Sequence, residues 1–221
     1  MLNDGDKGVI IQRDKKTYAV APHIPCGVIS PATLRKIADV AEKYNAPALK
    51  LTSAARIAIV GIKEEDVDKI WEELGMSKGA AVGLCVRSVK ACPGTTFCKR
   101  GIKDSLPLGM KLDEKYHGMQ LPSKFKIGVS GCPNQCAETC IKDLGFVGLP
   151  GGWQVLVGGN GGALPRLSKE LVRNLSDEEA LAIADRIIEF YRKNGRPHVR
   201  IGALIDKIGF DEFKKALTDK M

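Results

Sequence analysis

Four cysteines in two short clips constrain this chain more than any other feature. They stand in Cys92-Pro93-Gly94-Thr95-Thr96-Phe97-Cys98 and in Ser130-Gly131-Cys132-Pro133-Asn134-Gln135-Cys136, each with a proline after its first cysteine. Four thiols in two clips can hold one metal centre, and a cubane iron-sulfur cluster takes four thiolates from a chain bent around it. Structural zinc sites use tighter clips, with about two to four residues between ligands, so the wide first clip argues for something larger than one tetrahedral ion. The compact CxxCxxC run of bacterial ferredoxins is absent. The competing account is two disulfides or four unrelated buried thiols. A disulfide scaffold belongs to shorter, secreted chains, and the seven cysteines here are an odd number for complete pairing.

The flanking residues narrow the choice. Arg87-Ser88-Val89-Lys90-Ala91-Cys92 leads into the first clip, and Leu121-Pro122-Ser123-Lys124-Phe125-Lys126-Ile127 leads into the second. Cys136-Ala137-Glu138 with Ile141-Lys142-Asp143 follows. Together these resemble the nitrite and sulfite reductase haemoprotein family, from roughly residue 18 to 165 and again, weakly, at the C-terminus. The resemblance implies a [4Fe-4S] cluster on Cys92, Cys98, Cys132 and Cys136, coupled to sirohaem through the sulfur of Cys136. It also implies an anion site of Arg56, Arg87, Lys124 and Lys126. Lys99 and Arg100 become partners for sirohaem carboxylates, and Asn134, Gly159, Asn160 and Gly161 are further cofactor contacts. Ala55 departs from the pattern, standing where glutamine is expected before the arginine.

Net charge is +8, from 34 basic against 26 acidic residues. A basic surface suits nucleic acid, membranes or small anions. Aromatics are only 5% of the chain and no Lys/Arg run forms a tail or stripe, which argues against nucleic acid. A polycarboxylate cofactor and an anionic substrate both answer to a basic pocket. The start, Met1-Leu2-Asn3-Asp4-Gly5-Asp6-Lys7, has no charged-then-apolar signal pattern, and no long apolar run follows. A cytoplasmic protein away from membranes is expected.

The fold expected is α+β: a ferredoxin-like lobe over residues 1–78, then an α/β sirohaem and iron-sulfur lobe over 79–221. Strands are expected at 8–11, 17–21, 48–51 and 57–61. A helix capped by Ser30-Pro31 should bury Leu34, Ile37, Ala38 and Ala41, and a second should span Glu64 to Leu74 before Gly75. Gly79 to Gly83 reads as a hinge, and 104–121, with Pro107 and Gly109, as loop with at most a short helix around a surface His117. In the strand from Lys124 to Val129, the two lysines share one face and Phe125 and Ile127 the other. Cys140, four residues after Cys136, would fall one helical turn away if a helix begins there, and Cys26, Cys85 and Cys140 read as buried or incidental thiols. Pro150-Gly151-Gly152 marks a hairpin, and Gly158-Gly159-Asn160-Gly161-Gly162 lacks the form of a nucleotide loop. Ser176 and Glu179 make a capping box for a helix over Asp177–Lys193, and a short amphipathic helix should follow Gly209.

The function expected is a sirohaem-dependent reductase, sulfite first and nitrite second. No flavin or nicotinamide motif is present, so electrons must come from a separate donor protein. Only one clip-bearing copy exists, whereas larger members of the resembled family carry two related halves. Either the compact form covers the sirohaem alone, or a second chain or partner subunit completes the pocket. Two other readings stand beside it: an electron-transfer subunit with a cluster but no sirohaem, and a zinc-stabilised binding module.

Overall fold

The computed structural model describes residues 1–219. It divides into two compact units, Met1–Gly83 and the chain from Leu84 onward.

In the first unit the strands are β1 (Val9–Ile11), β2 (Tyr18–Val20), β3 (Ala48–Leu51) and β4 (Ile57–Ile62). They form an antiparallel sheet in the order β1-β2-β4-β3, with β1 on one edge. Helix α1 (Pro31–Lys43) starts where Ser30 accepts a hydrogen bond from the Thr33 amide, and α2 (Val67–Leu74) stops at Gly75 in the left-handed conformation. Ile37, Val40 and Ala41 of α1 and Val67, Ile70, Trp71 and Leu74 of α2 share one core with Val20, Ile57 and Ile59 of the sheet. This is the expected ferredoxin-like layout. Leu34 and Ala38 are the exceptions: Leu34 is 45% exposed and Ala38 only partly buried, and Val40 takes the buried position instead. The buried stripe is narrower than the apolar pattern suggested.

The second unit holds a five-stranded sheet in sequential order, β5 (Val86–Ala91), β6 (Phe125–Ser130), β7 (Leu144–Leu149), β8 (Gly152–Val157) and β9 (Lys169–Leu175). β5, β6 and β7 run parallel, while β8 and β9 are antiparallel. Parallel neighbours need crossovers. The first carries the short α3 (Gly94–Phe97) and α4 (Ser105–Tyr116); the second, residues 131–143, contains no α-helix and is the second cysteine clip itself. The β7–β8 hairpin turns at Pro150-Gly151, with Leu149 opposite Gly152. Helix α5 (Asp177–Asn194) begins with the complete Ser176/Glu179 capping box. α6 (Ile201–Ile208) and α7 (Phe210–Thr218) follow.

Four elements differ from expectation. Residues 105–116 are a full helix, because Pro107 lies in the first turn, where the missing amide costs nothing, and Leu108, Leu112 and Tyr116 recur on its buried face. Strand β9 and helix α6 have sequences too polar or too short to announce themselves. Cys140 lies in a 3-10 turn, Thr139–Ile141, so it is not stacked one α-helical turn from Cys136.

Phe125, Ile127 and Val129 are fully buried on one face of β6, where α4 packs and the Phe125 ring lies 5.7 Å from that of Tyr191. The opposite face is left for the second clip. Among the described residues no helix is long and apolar enough to cross a membrane. Ser176→Ala should lower the stability of the second unit by about 1 kcal/mol in denaturant titration, since it removes the hydroxyl that accepts from the Glu179 amide at the helix start.

Candidate active site

The two clips begin at the carboxyl ends of adjacent parallel strands. Ala91 of β5 is paired with Val129 of β6, and the Cys92 amide donates to the Val129 carbonyl at 3.0 Å. In open α/β sheets the crevice beyond the carboxyl strand ends is where ligands bind.

Gly131 fastens the clips together. Its amide donates to the Cys92 sulfur at 3.1 Å, while its carbonyl accepts from the Ile102 and Lys103 amides at 2.8 and 2.9 Å. Only glycine permits this approach: a Cβ here would lie 2.5 Å from the Lys103 carbonyl oxygen and 2.9 Å from Gly94 Cα. The Ser105 hydroxyl donates to the Cys92 carbonyl at 2.7 Å and lies 3.3 Å from its sulfur.

Exposure is graded along the clips. Cys132 is buried, Cys92 and Cys98 are intermediate and Cys136 is exposed. Gln135 and Glu138, on either side of Cys136-Ala137, both have positive φ, which non-glycine residues adopt at a cost. The Thr139 hydroxyl donates to the Gln135 side chain at 2.6 Å, and the Ala137 amide donates to Ser130 Oγ at 3.1 Å. These bonds keep the turn tight and leave Cys136 facing outward. Among the described residues, no three His, Cys, Asp or Glu side chains converge on one point as a single metal ion requires. The donors' chemistry fits an iron-sulfur cluster: four thiols in two clips that begin at adjacent strand ends, one of them already receiving a backbone hydrogen bond, as cluster-ligating sulfurs do.

The second clip then returns across the face of β6 that carries Lys126, because β7 must start level with the beginning of β6. A Cβ on Gly128 would lie 2.9 Å from Lys142 Cγ and 3.1 Å from the Ala137 carbonyl, so the crossover lies directly on this face. Lys126 is half-buried and Lys124 exposed. Burial first, and then the charges of Lys142, Arg200 and Lys124, hold the Lys126 ammonium below the ordinary lysine pKa, with Asp143 acting in the other direction.

Sequence reasoning gave no role to the groups that organise this face. Lys90, paired in register with Gly128, meets Glu138 at 3.2 Å, and Lys142, itself buried, meets the same carboxylate at 2.8 Å. The Lys142 hydrogen bond holds Glu138 below its usual carboxylate pKa. Asp143 is fully buried; it accepts from Arg200 Nε at 2.9 Å and from the Lys126 amide at 2.8 Å. Alternation along β5 could have flagged Lys90, and an adjacent Lys-Asp pair at a strand entry could have flagged Lys142 and Asp143. Arg200 is too distant in sequence to be seen.

The remaining expected residues are placed as follows. Arg87 occupies the irregularity between Val86 and Ser88, where strand alternation breaks. Lys99 and Arg100 are exposed just after Cys98, and Asn134 is exposed inside the second clip. Gly159 lies against the backbone of Cys140 to Lys142, so the glycine run is tied to the clip that precedes it. Asn160, Gly159, Arg166, His198 and Arg200 line an open pocket of about 630 Å³ between that run and the start of α6. Arg56 stands in the first unit, buried, in a turn closed by the Thr52 amide and hydroxyl, with its side chain against Gly79. Ala55 before it has φ 56°, a strained value in that turn. No disulfide joins the seven cysteines among the described residues.

Gly131→Ala should lower the thermal midpoint of the second unit by several degrees, because the added Cβ meets backbone on both sides and neither neighbour can rotate away.

Comparison with known proteins agrees with this geometry. Residues 82–221 match the nitrite and sulphite reductase 4Fe-4S domain, and residues 10–77 match the nitrite/sulfite reductase ferredoxin-like half domain. An assimilatory-type sulfite reductase of Nitratidesulfovibrio vulgaris is 43% identical over 98% of this chain and 99% of its own length. A nitrite reductase [NAD(P)H] of Bacillus subtilis is also 43% identical, over 95% of this chain but only 26% of its own. The crystal structure of dissimilatory sulfite reductase I superposes with a TM-score of 0.83 at 16% identity, over 91% of this chain and 69% of that one. The Mycobacterium tuberculosis NirA structure gives 0.81 at 21%, over 92% and 40%. These two show a shared fold. With both domain families matched in order along the chain, this protein belongs to the nitrite and sulfite reductase family.

Proposed function

We propose that the protein is a sirohaem-dependent sulfite reductase that reduces sulfite to sulfide. The observation that carries this reading is the joining of the two cysteine clips at Gly131 beside a sheet face crowded with cations. Near-complete mutual coverage with an assimilatory-type sulfite reductase supports sulfite over nitrite, since the chain spans about a quarter of the nitrite reductase it resembles equally in sequence.

In this reading Cys92, Cys98, Cys132 and Cys136 would hold the [4Fe-4S] cluster, and the outward-facing Cys136 would be the one offered to sirohaem. Lys99, Arg100, Asn134, Gly159, Asn160 and Gly161 hold the sirohaem carboxylates and rim. When bound, the sirohaem supplies an open iron position for the anion and the cluster supplies electrons one at a time. Arg56 and Arg87 bind the oxygens of the anion with fixed charge and planar geometry. Lys124 and Lys126 neutralise the anion and donate protons to its departing oxygens, and a lysine held below its ordinary pKa gives up a proton more readily. A separate carrier protein delivers the electrons, and the cysteine-rich centre suits a reducing compartment such as the cytoplasm.

The test is the visible spectrum of anaerobically purified protein, before and after reduction, with sulfite and then nitrite added. Haem-type bands that shift with sulfite support the reading. Bands that shift only with nitrite transfer it to nitrite reduction, and broad iron-sulfur absorption without haem bands, after expression with ample sirohaem, leaves an electron-transfer subunit. Lys124→Ala should keep the holoenzyme spectrum and lower turnover about a hundredfold, the loss of roughly 3 kcal/mol of transition-state stabilisation. Turnover equal to wild type would remove Lys124 from the site.

A further inference from the structure

Lys126 is surrounded by charges from four directions. Lys124 precedes it on the same strand. Lys142 approaches across Gly128 from the crossover, held by Glu138, which also binds Lys90 of β5. Asp143 lies at the entry to β7 and Arg200 at the first turn of α6. Two of these contacts are fixed by buried geometry. Asp143, with no exposure, bonds both the Lys126 amide and the Arg200 guanidinium, and so locks the strand position of Lys126 to the start of α6. Lys142 is 6% exposed, and the space left by Gly128 sets its stem against β6.

We infer that Lys142 and the buried Asp143–Arg200 pair are positioning residues for Lys126, holding its ammonium in place and tuning its proton affinity in opposite directions. This rests on the reading of Lys126 as a proton donor in the proposed reductase. None of the three touches the anion in this account; each acts through Lys126. Lys142 and Arg200 disfavour the charged form of Lys126, whereas Asp143 favours it.

The signs follow from the charges. A proton donor is active while protonated, so loss of the Lys126 proton produces the alkaline limb of the rate profile. Lys142→Met removes a repelling cation, raises the proton affinity of Lys126 and moves that limb to higher pH. Asp143→Asn removes an attracting anion and moves it to lower pH. Each shift should be about one pH unit, the usual size for one partly buried neighbour.

The experiment measures the pH dependence of kcat/KM for sulfite in wild-type holoenzyme, Lys142→Met and Asp143→Asn. Competitive acetylation of Lys126, followed by peptide mass spectrometry, reports its titration midpoint in the same proteins without reference to turnover. Opposite displacements of limb and midpoint in the two variants support the inference. A Lys126 midpoint unmoved in Lys142→Met overturns it, and that variant keeps the test decisive if Asp143→Asn does not fold. Lys126→Met separates the two claims. If the alkaline limb persists without Lys126, the donor reading fails, while displaced acetylation midpoints in the other variants still support the positioning roles.

Discussion

The hydrogen bond from the Gly131 amide to the Cys92 sulfur ties together parts of the chain that local structure cannot join. Cys92 ends one strand and Gly131 follows the next, and the first crossover, with two helices, lies between them. The same glycine accepts from Ile102 and Lys103, so the loop after Cys98 is drawn to the same point. Three backbone segments meet where one Cβ would not fit. A hydrogen bond to a thiolate also lowers the cost of keeping it charged and shifts the potential of any cluster it holds. In the proposed reading, the contact that closes the fold at this end of the sheet would therefore also condition the cluster.

From that junction the second clip has to travel back to begin a strand parallel to β6. An ordinary crossover would spend a helix on the return and cover the sheet with an apolar stripe. Here the return is made by a chain of turns with left-handed residues at Gln135 and Glu138, and it presents Lys142 and Glu138 to the sheet. Replacing the helix by the clip lays the crossover over the Lys126 side of β6, while Phe125, Ile127 and Val129 keep the other side for the core. The alternation of a single strand thus separates stability from chemistry.

Much of this was legible in the sequence where signals are local. The cysteine spacing, the alternation of Lys124-Phe125-Lys126-Ile127, the Ser176 capping box and the Ser30-Pro31 helix start are each set by residues a few positions apart, and the corresponding elements stand in the structure. Helix α4 was hidden because Pro107 and Gly109 count against a helix unless the start of that helix is known. Once Ser105 is the first residue, the proline falls where it is tolerated. The partners of Lys126 were hidden for another reason: Lys142 reaches it through the crossover and Arg200 from a helix start far along the chain. Which charges face each other is a property of the assembled sheet.

That assembly has an energetic consequence. Lys90, Lys124, Lys126, Lys142 and Arg200 are gathered around one sheet face, with Glu138 and Asp143 as the carboxylates bonded among them. Like charges held close in a partly dehydrated region repel, and the fold must offset that repulsion through its apolar core. Asp143 is the most costly member, since burial pushes its carboxyl above its usual pKa, against the Arg200 guanidinium and the backbone amides that counter it. A chain selected for stability alone would do better with apolar residues at these positions. Retaining them makes sense if an anion completes the charge balance, because donors already fixed in place then need no rearrangement when negative charge arrives or redistributes. In the proposed reading, the excess of cations over carboxylates on this face would be one half of an ion pair whose other half is the anionic substrate.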